Sequence, residues 1–351
     1  MRTVTEIGLD ILREARLPQD VQRTCLKALA GSGRLYSDNP VWSRLFLTWN
    51  DALGAPRHDA MLRAAVACEY LVAGYDLIDD VYDQACSPSL HQDLIDALPA
   101  GAALVLLAQE TVAHLNVAED RRTRAGTAIA RMSRRVFAAQ AQDYALRRLP
   151  TATQGDASAV LRRRSGTLAA IPCQCAAVLA GAPWRTVALA GRFGQALGCA
   201  AQLEDDLADL GEDKQTGRKT LPTILARCYP DTPELVEATA WVLLYRFLED
   251  AARIVRRLPT SVRTESLWTF LPPALRAAWR SSLPMAPRSS LPRLCMPPYG
   301  RQERSTCQAG VARKGCRLSP GSRRTGRPGA RALCPARLSW AVCRGTAPRP
   351  A

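Results

Sequence analysis

Two apolar, alanine-rich stretches of this chain end in the same acidic pattern, Asp79-Asp80-Val81-Tyr82-Asp83 and Asp205-Asp206-Leu207-Ala208-Asp209. Ala64 to Ile78 leads into the first, and Gly194 to Leu203 into the second. In helical geometry the first and last aspartates of each pattern are i,i+4 neighbours, about 5–6 Å apart at Cβ. Like charges at such a separation repel by about 1 kcal/mol in water and about 4 kcal/mol at an intermediate dielectric. No Lys or Arg occurs between Arg63 and Arg121, so the first cluster has no cation near it in sequence. One such cluster alone reads as a solvated helix end. Two at the ends of buried helices ask for an external positive charge, and hard carboxylate oxygens favour Mg²⁺.

The remaining pattern is helical. An amphipathic segment from Thr5 to Ala30 is interrupted near Leu17-Pro18, and Ser37-Asp38-Asn39-Pro40 announces a helix over Val41 to Leu53. Asp59 can cap a helix that runs to Asp83, and the polar, Pro-containing span 85–99 predicts a loop with at most a short helix. Further helical periodicity covers about 101–117, 120–148, 156–180, 184–210, 232–258 and 262–280. No stretch alternates convincingly with period two, so the expected fold class is all-α, a bundle of about ten or more helices around a central apolar cavity.

Charge locates the domain boundary. The formal +15 of the whole chain suggests a polyanionic partner at first sight. Fourteen of the 47 Lys and Arg, but only one of the 32 acids, lie in 285–351, leaving 33 bases against 31 acids in 1–284. A nearly neutral helical domain over 1–284 argues against nucleic-acid binding. The span 285–351 is rich in Arg, Pro, Gly and Cys and lacks apolar periodicity, so it reads as a disordered or frame-shifted tail.

Other chemistry is excluded more simply. The three histidines (His58, His91, His114) are scattered, which disfavours a His-based zinc site. The twelve cysteines form no CxxC pair, and those in apolar helical patterns behave as small hydrophobes, as in a reducing cytoplasm. The longest apolar run, Ala100 to Ala108, is too short for a transmembrane segment. Glu6 and Asp10 stand where a signal peptide needs an apolar run.

Cations accompany the second acidic pattern. Gln202 lies three residues before Asp205 and shares its helix face. Gly217-Arg218-Lys219-Thr220-Leu221-Pro222 follows closely, and Arg162-Arg163-Arg164-Ser165-Gly166-Thr167 opens another apolar helix. Facing carboxylates with divalent cations, and Arg and Lys beside them, would bind a diphosphate and stabilise it as a leaving group. Apolar helices beneath would hold a hydrocarbon chain and exclude water.

These blocks resemble the trans-isoprenyl diphosphate synthase (polyprenyl synthetase) family, within the class I isoprenoid synthase fold. The similarity rests on Glu69 before Asp79-Asp80-x-x-Asp83, Gln140-x-x-Asp143, and Arg164-Ser165-Gly166-x-Leu168. It continues with Gln202-x-x-Asp205-Asp206-x-x-Asp209 and Gly217-Arg218-x-Thr220-Leu221-Pro222, so it runs from about Arg57 to Leu225. The resemblance implies Mg-dependent prenyl transfer from an allylic prenyl diphosphate, most simply short-chain prenyl diphosphate synthesis by a cytoplasmic homodimer. It implies three Mg²⁺ ions, two held by Asp79, Asp80 and Asp83 and a third by Asp205 with Asp206 or Asp209. Arg164, Arg218, Lys219 and Gln202 would serve the diphosphate, and Gln140, Asp143 and Ser165 would support the site. Gly74 and Tyr75 would lie in the pocket, with Tyr75 one turn before Asp79 as its floor.

The departures from the family are specific. The basic block expected near Asn39 to Val41 is absent, with Gly33-Arg34 a poorly placed remnant. Val72 stands where the family has His, and Cys86-Ser87-Pro88-Ser89 occupies the place of an Arg-Arg-Gly. By the resemblance, the first two losses strip the usual site for isopentenyl diphosphate, the second substrate, and the third weakens the grip on the allylic diphosphate. They leave open a class I terpene synthase, a prenyltransferase for a peptide acceptor, and an inactive partner subunit.

Overall fold

A computed structural model describes residues 2–30, 34–37, 40–84, 92–273 and 275–276; the side chains of 83–84 and 92–96 lie outside that description. Among the described residues the elements are twelve α-helices and one short 3-10 helix, with no strand. The span 285–351 and the segment Cys86–Ser89 fall outside the described residues.

The N-terminal helices are started by local chemistry. In α1 (Val4–Glu14) the Thr3 hydroxyl and Glu6 carboxylate form a reciprocal capping box, satisfying two otherwise unpaired N–H groups. Arg16 has a positive φ of 49°, and Pro18 then starts α2 (Gln19–Leu29), so the expected interruption is present. α3 (Val41–Ala52) has no side-chain cap of its own. Its first turn is capped from elsewhere: Glu69, fully buried, accepts from the Ser43 amide at 2.7 Å. Burial pushes the Glu69 carboxyl up to about 7, although the Ser43 hydrogen bonds oppose the shift.

The centre of the bundle is made by helices that are apolar on nearly every side. α4 (Asp59–Gln84) packs most extensively on α5 (Gln92–Ala113). Gly74 and Gly101 allow this contact, since a Cβ on Gly74 would lie 2.7 Å from the Gly101 carbonyl. α5 therefore begins inside the span expected to be a loop. Pro99 sits within the helix despite its missing N–H, because packing on α4 outweighs the local preference. α6 (Glu119–Arg148) lies against α5 and against the later α8.

The single helix expected over 156–180 is two helices, α7 (Gln154–Arg163) and α8 (Ser165–Leu179), broken at Arg164 with φ −90° and ψ −90°. α8 crosses α9 (Trp184–Ala208) at very close range. A Cβ on Gly198 would meet the Ser165 carbonyl oxygen at 2.4 Å. Two short helices follow that periodicity did not indicate, α10 (Leu210–Thr216) and α11 (Leu221–Cys228). Gly217, with φ 74°, turns the chain between them in a conformation that favours glycine. α12 (Pro233–Arg256) then packs along α9. Of the helix expected over 262–280, the described residues show the 3-10 turn Leu267–Phe270 and then a helical turn that starts at Pro273, where the Arg276 amide donates to the Pro272 carbonyl at 2.9 Å.

One continuous hydrophobic core links these helices. Trp49, Phe193 and Phe270 meet edge to face inside it, with centroids 5.6 and 6.5 Å apart. Cys25, Cys68, Cys173, Cys175 and Cys199 are free and buried in this core, as the apolar patterns suggested. No helix among the described residues is long and apolar enough to cross a membrane.

Candidate active site

The two acidic patterns occupy the C-terminal ends of α4 and α9, where the helix dipole is already negative. Neither helix has a basic residue in its last turn. Each helix thus places carboxylates where they are least favourable, and the stabilising charge must come from other parts of the fold.

At the first cluster it comes from α6 and from the break before α8. The Arg164 guanidinium pairs with one oxygen of Asp79, and the Gln140 amide donates to the other. Arg164 also reaches Asp143 at 3.5 Å, and Asp143 accepts from Arg147 at 3.3 Å. Burial still pushes the Asp79 carboxyl above the usual carboxylate range, against the opposing field of Arg164. Asp80 is exposed at the rim. Its carboxyl is raised by desolvation and lowered by Arg34 and Arg218.

The second cluster is ordered by a relay of neutral side chains. Ser165 donates to the Gln202 carbonyl oxygen at 2.8 Å, and the Gln202 amide donates to Asp206 at 3.0 Å. Burial pushes the Asp206 carboxyl up to about 7, with Asp213 and Asp143 adding to the shift and Gln202 and Arg164 opposing it. Asp205, next to Asp206, and Asp209, one turn on, are exposed, and Asp205 contributes to raising Glu204 to about 7, a shift caused first by burial.

The turn after α10 carries the remaining cations. Asp213 is almost fully buried and holds this turn from three sides. It accepts the Thr220 hydroxyl at 3.0 Å, its carbonyl accepts the Arg218 amide at 2.9 Å, and its carboxylate lies 3.7 Å from the Arg218 guanidinium. Arg218 and Lys219 are half-buried. The field of Arg218 acts on Asp79 and Asp80, and those of Arg164 and Asp143 on both Asp79 and Asp206. Both aspartate clusters therefore share one electrostatic neighbourhood, which also receives the positive end of α8.

Most of the residues singled out in the sequence meet here: Asp79, Asp80, Gln140, Asp143, Arg164, Ser165, Gln202, Asp206 and Arg218. Gly74 does not, because its open face is filled by α5. The Asp83 side chain lies outside the described residues. Three contributors lacked a sequence signal. Arg34 reaches α4 from a non-helical segment and pairs with Asp76, so the remnant that sequence position discounted is brought to the first cluster. Arg147 pairs with Asp143 one helical turn before it, and Asp213, within the charged run Glu212-Asp213-Lys214, finds its partners Thr220 and Arg218 only across the turn at Gly217.

As donors, these carboxylates suit a hard divalent cation, being oxygen-only, at negative helix ends and incompletely neutralised. Among the described residues no three acidic, His or Cys side chains converge closely enough to hold a metal ion, and Asp79 is engaged by Arg164 and Gln140. A small cavity of about 20 Å³ lies directly below, lined by Tyr75, Ile78, Val136, Phe137 and Leu168 with Asp79, Gln140 and Arg164 at its polar side.

Comparison with known proteins agrees with this architecture. A family model described as polyprenyl synthetase matches residues 42–223. A geranylgeranyl pyrophosphate synthetase of the archaeon Geoglobus acetivorans superposes with a TM-score of 0.63 at 20% identity, over 79% of this chain and 98% of that one. A geranylgeranyl pyrophosphate synthase of Lactobacillus brevis gives 0.63 at 20%, over 76% and 93%. A decaprenyl diphosphate synthase of Rhodobacter capsulatus gives 0.59 at 17%, over 80% and 96%. Among curated proteins no sequence matches.

Proposed function

The chain belongs to the polyprenyl synthetase family, a family of prenyltransferases, and on that premise we propose that it ionises an allylic prenyl diphosphate in a magnesium-dependent prenyl transfer. The observation that carries this reading is the shared position of Arg164, which pairs with Asp79 and also acts on Asp206. Two carboxylate groups so close, with arginines between them, form a surface for a diphosphate and its counter-cations.

In this reading Asp79, Asp80 and Asp83 hold magnesium on one side, and Asp205, Asp206 and Asp209 on the other. Bound magnesium would supply Lewis-acid stabilisation of the departing diphosphate. Arg164 releases Asp79 and turns to the diphosphate, while Arg218 and Lys219 approach it from the turn that Asp213 anchors. Gln202, fixed by Ser165, orients Asp206. The apolar walls below keep water from the allylic cation.

The most direct acceptor is isopentenyl diphosphate, giving a short-chain prenyl diphosphate. Arg34, beside Asp76 and close to Asp80, supports this choice, because it supplies a cation where the family's basic block is missing.

The deciding experiment incubates the protein with Mg²⁺ and geranyl or farnesyl diphosphate, with and without isopentenyl diphosphate. Longer diphosphates formed only with both substrates support the proposal. Hydrocarbons or terpene alcohols from the allylic substrate alone would replace chain elongation by a cyclase reaction. No turnover under any of these conditions would count against both and favour a peptide acceptor or a partner subunit.

A further inference from the structure

One carboxylate beside the first cluster is held by two arginines from different parts of the fold. Oδ2 of Asp143 lies 3.3 Å from the Arg147 guanidinium and 3.5 Å from that of Arg164. Arg147 is one turn after Asp143 on α6, so this pair needs no other element. Its guanidinium also lies over the Tyr144 ring, 5.8 Å from the centroid, and its side chain is only 15% exposed. Arg164 comes instead from the break between α7 and α8, and it also pairs with Asp79. Burial raises the Asp213 carboxyl in α10, and the Thr220 hydroxyl and the field of Arg147 oppose that shift. Arg147 thus sits between Asp143 and the turn that carries Arg218.

We infer that Arg147 is a positioning residue that keeps Asp143 paired while Arg164 turns to the substrate diphosphate, and so frees Arg164 to leave. This rests on the reading of the site as one for an allylic diphosphate. In that reading magnesium replaces Arg164 on Asp79, whereas Asp143 is not among the proposed metal ligands and gains no new cation. A half-buried carboxylate left without its cation is costly. Its charge would also oppose the incoming diphosphate, as it already acts on both Asp79 and Asp206. With Arg147 on the same oxygen, departure of Arg164 leaves an ion pair and not a bare charge. Two cations on one carboxylate also leave one positive charge in excess, and an anion can claim it. Confinement decides which arginine moves. Arg147 is tied to its own helix through Asp143 and Tyr144, while Arg164 reaches across from another element.

Calorimetric titration with the S-thiolo analogue of farnesyl diphosphate, which resists ionisation, in the presence of Mg²⁺ tests this. Arg147→Met keeps an apolar stem against Tyr144 and removes the charge. It should weaken binding of the analogue by about tenfold or more, the worth of one charge-assisted hydrogen bond. Arg147→Lys keeps a cation beside Asp143 and should recover part of the loss. The distinguishing protein is the double variant Arg147→Met with Asp143→Asn. Removing the charge that retains Arg164 should make it bind the analogue at least about threefold more tightly than Arg147→Met alone. A residue that touched the diphosphate itself, or served only the fold, would show no such rescue. Circular dichroism checks that all variants keep their helices. Wild-type affinity in Arg147→Met, or a loss that the double variant does not recover, would overturn the inference and leave the proposed function standing. No binding of the analogue to the wild type would overturn the proposed function, and the inference with it.

Discussion

The guanidinium of Arg164 pairs with the carboxylate of Asp79 across 85 residues of sequence, joining the end of α4 to the break between α7 and α8. That break places Arg164 over the site. Had 154–179 been one continuous helix, residue 164 would follow the helical path. Asp79 has no cation nearby in sequence, and Arg164 and the Gln140 amide engage its two oxygens, the ones that the proposed function assigns to magnesium.

Arg164→Ala should therefore act on both halves of the site. Asp79 loses its cation and Asp206 loses an opposing positive field. Turnover of an allylic diphosphate should fall by about 10²–10³-fold, as when one preorganised charge-stabilising donor is removed. Arg164→Lys should recover only part, because an ammonium lacks the planar fork that can serve Asp79 and Asp143 together. Steady-state kinetics with both variants gives the comparison. Near-normal turnover of Arg164→Ala would remove it from the machinery.

Close packing of α8 on α9 makes a prediction about Gly198. A methyl group there would meet the Ser165 carbonyl oxygen at 2.4 Å and the Ala169 Cβ at 2.7 Å, and neither can move without shifting α8. Gly198→Ala should lose about 1–3 kcal/mol by overpacking, despite the gain in helix propensity. It should also weaken activity by displacing Ser165 from Gln202. Gly211→Ala provides the contrast, because a Cβ there meets nothing within 4 Å. That variant should be neutral or stabilised by about 0.5–1 kcal/mol. Thermal melts of the two variants decide it.

The acidic patterns were legible because each interrupts an apolar run, a local signal that needs no knowledge of the fold. Gln202 was legible for the same reason, lying on the same helix face as its aspartates. Arg34 was not. Its partner Asp76 is on another element, and no periodicity marks an isolated cation in a non-helical segment. The break at Arg164 was hidden because 156–180 carries helical patterning throughout, and the close fit at Gly166 and Gly198 exists only once α8 and α9 are packed. Pro99 misled in the opposite direction. It reads as a terminator, but the Gly74–Gly101 contact keeps α5 helical through it.

Glu69 predicts how stability varies with pH. Its carboxyl is raised from an ordinary 4.5 to about 7 by burial. Between these values the folded protein retains a proton that the unfolded chain has released, so stability falls as pH rises through this window. The slope from this group is at most about 1.4 kcal/mol per pH unit. Glu69→Gln keeps an oxygen for the Ser43 amide and cannot ionise, so it should flatten the profile between pH 5 and 7. Melting temperatures measured across that range check the sign. A wild-type profile that rises over the window, or an unchanged slope in the variant, would contradict the assignment.

Magnesium should reverse part of that pH trend at the site itself. Burial pushes the Asp206 carboxyl up to about 7, so if it holds Mg²⁺ as proposed, a proton and the cation would compete for its oxygens as the pH falls. The apparent affinity for Mg²⁺ should therefore weaken on acidification, by up to tenfold per pH unit for each proton displaced. At a concentration 100 times its dissociation constant, a ligand that binds only the folded state stabilises it by about 2.7 kcal/mol. The Mg²⁺-dependent rise in melting temperature, measured with an unreactive diphosphate analogue, should thus be larger at pH 8 than at pH 6 and vanish with EDTA. Asp206→Asn cannot be protonated, so it should bind Mg²⁺ more weakly at pH 8 and lose the pH dependence. A Mg²⁺ response that is equal at both pH values in the wild type would separate Asp206 from the metal.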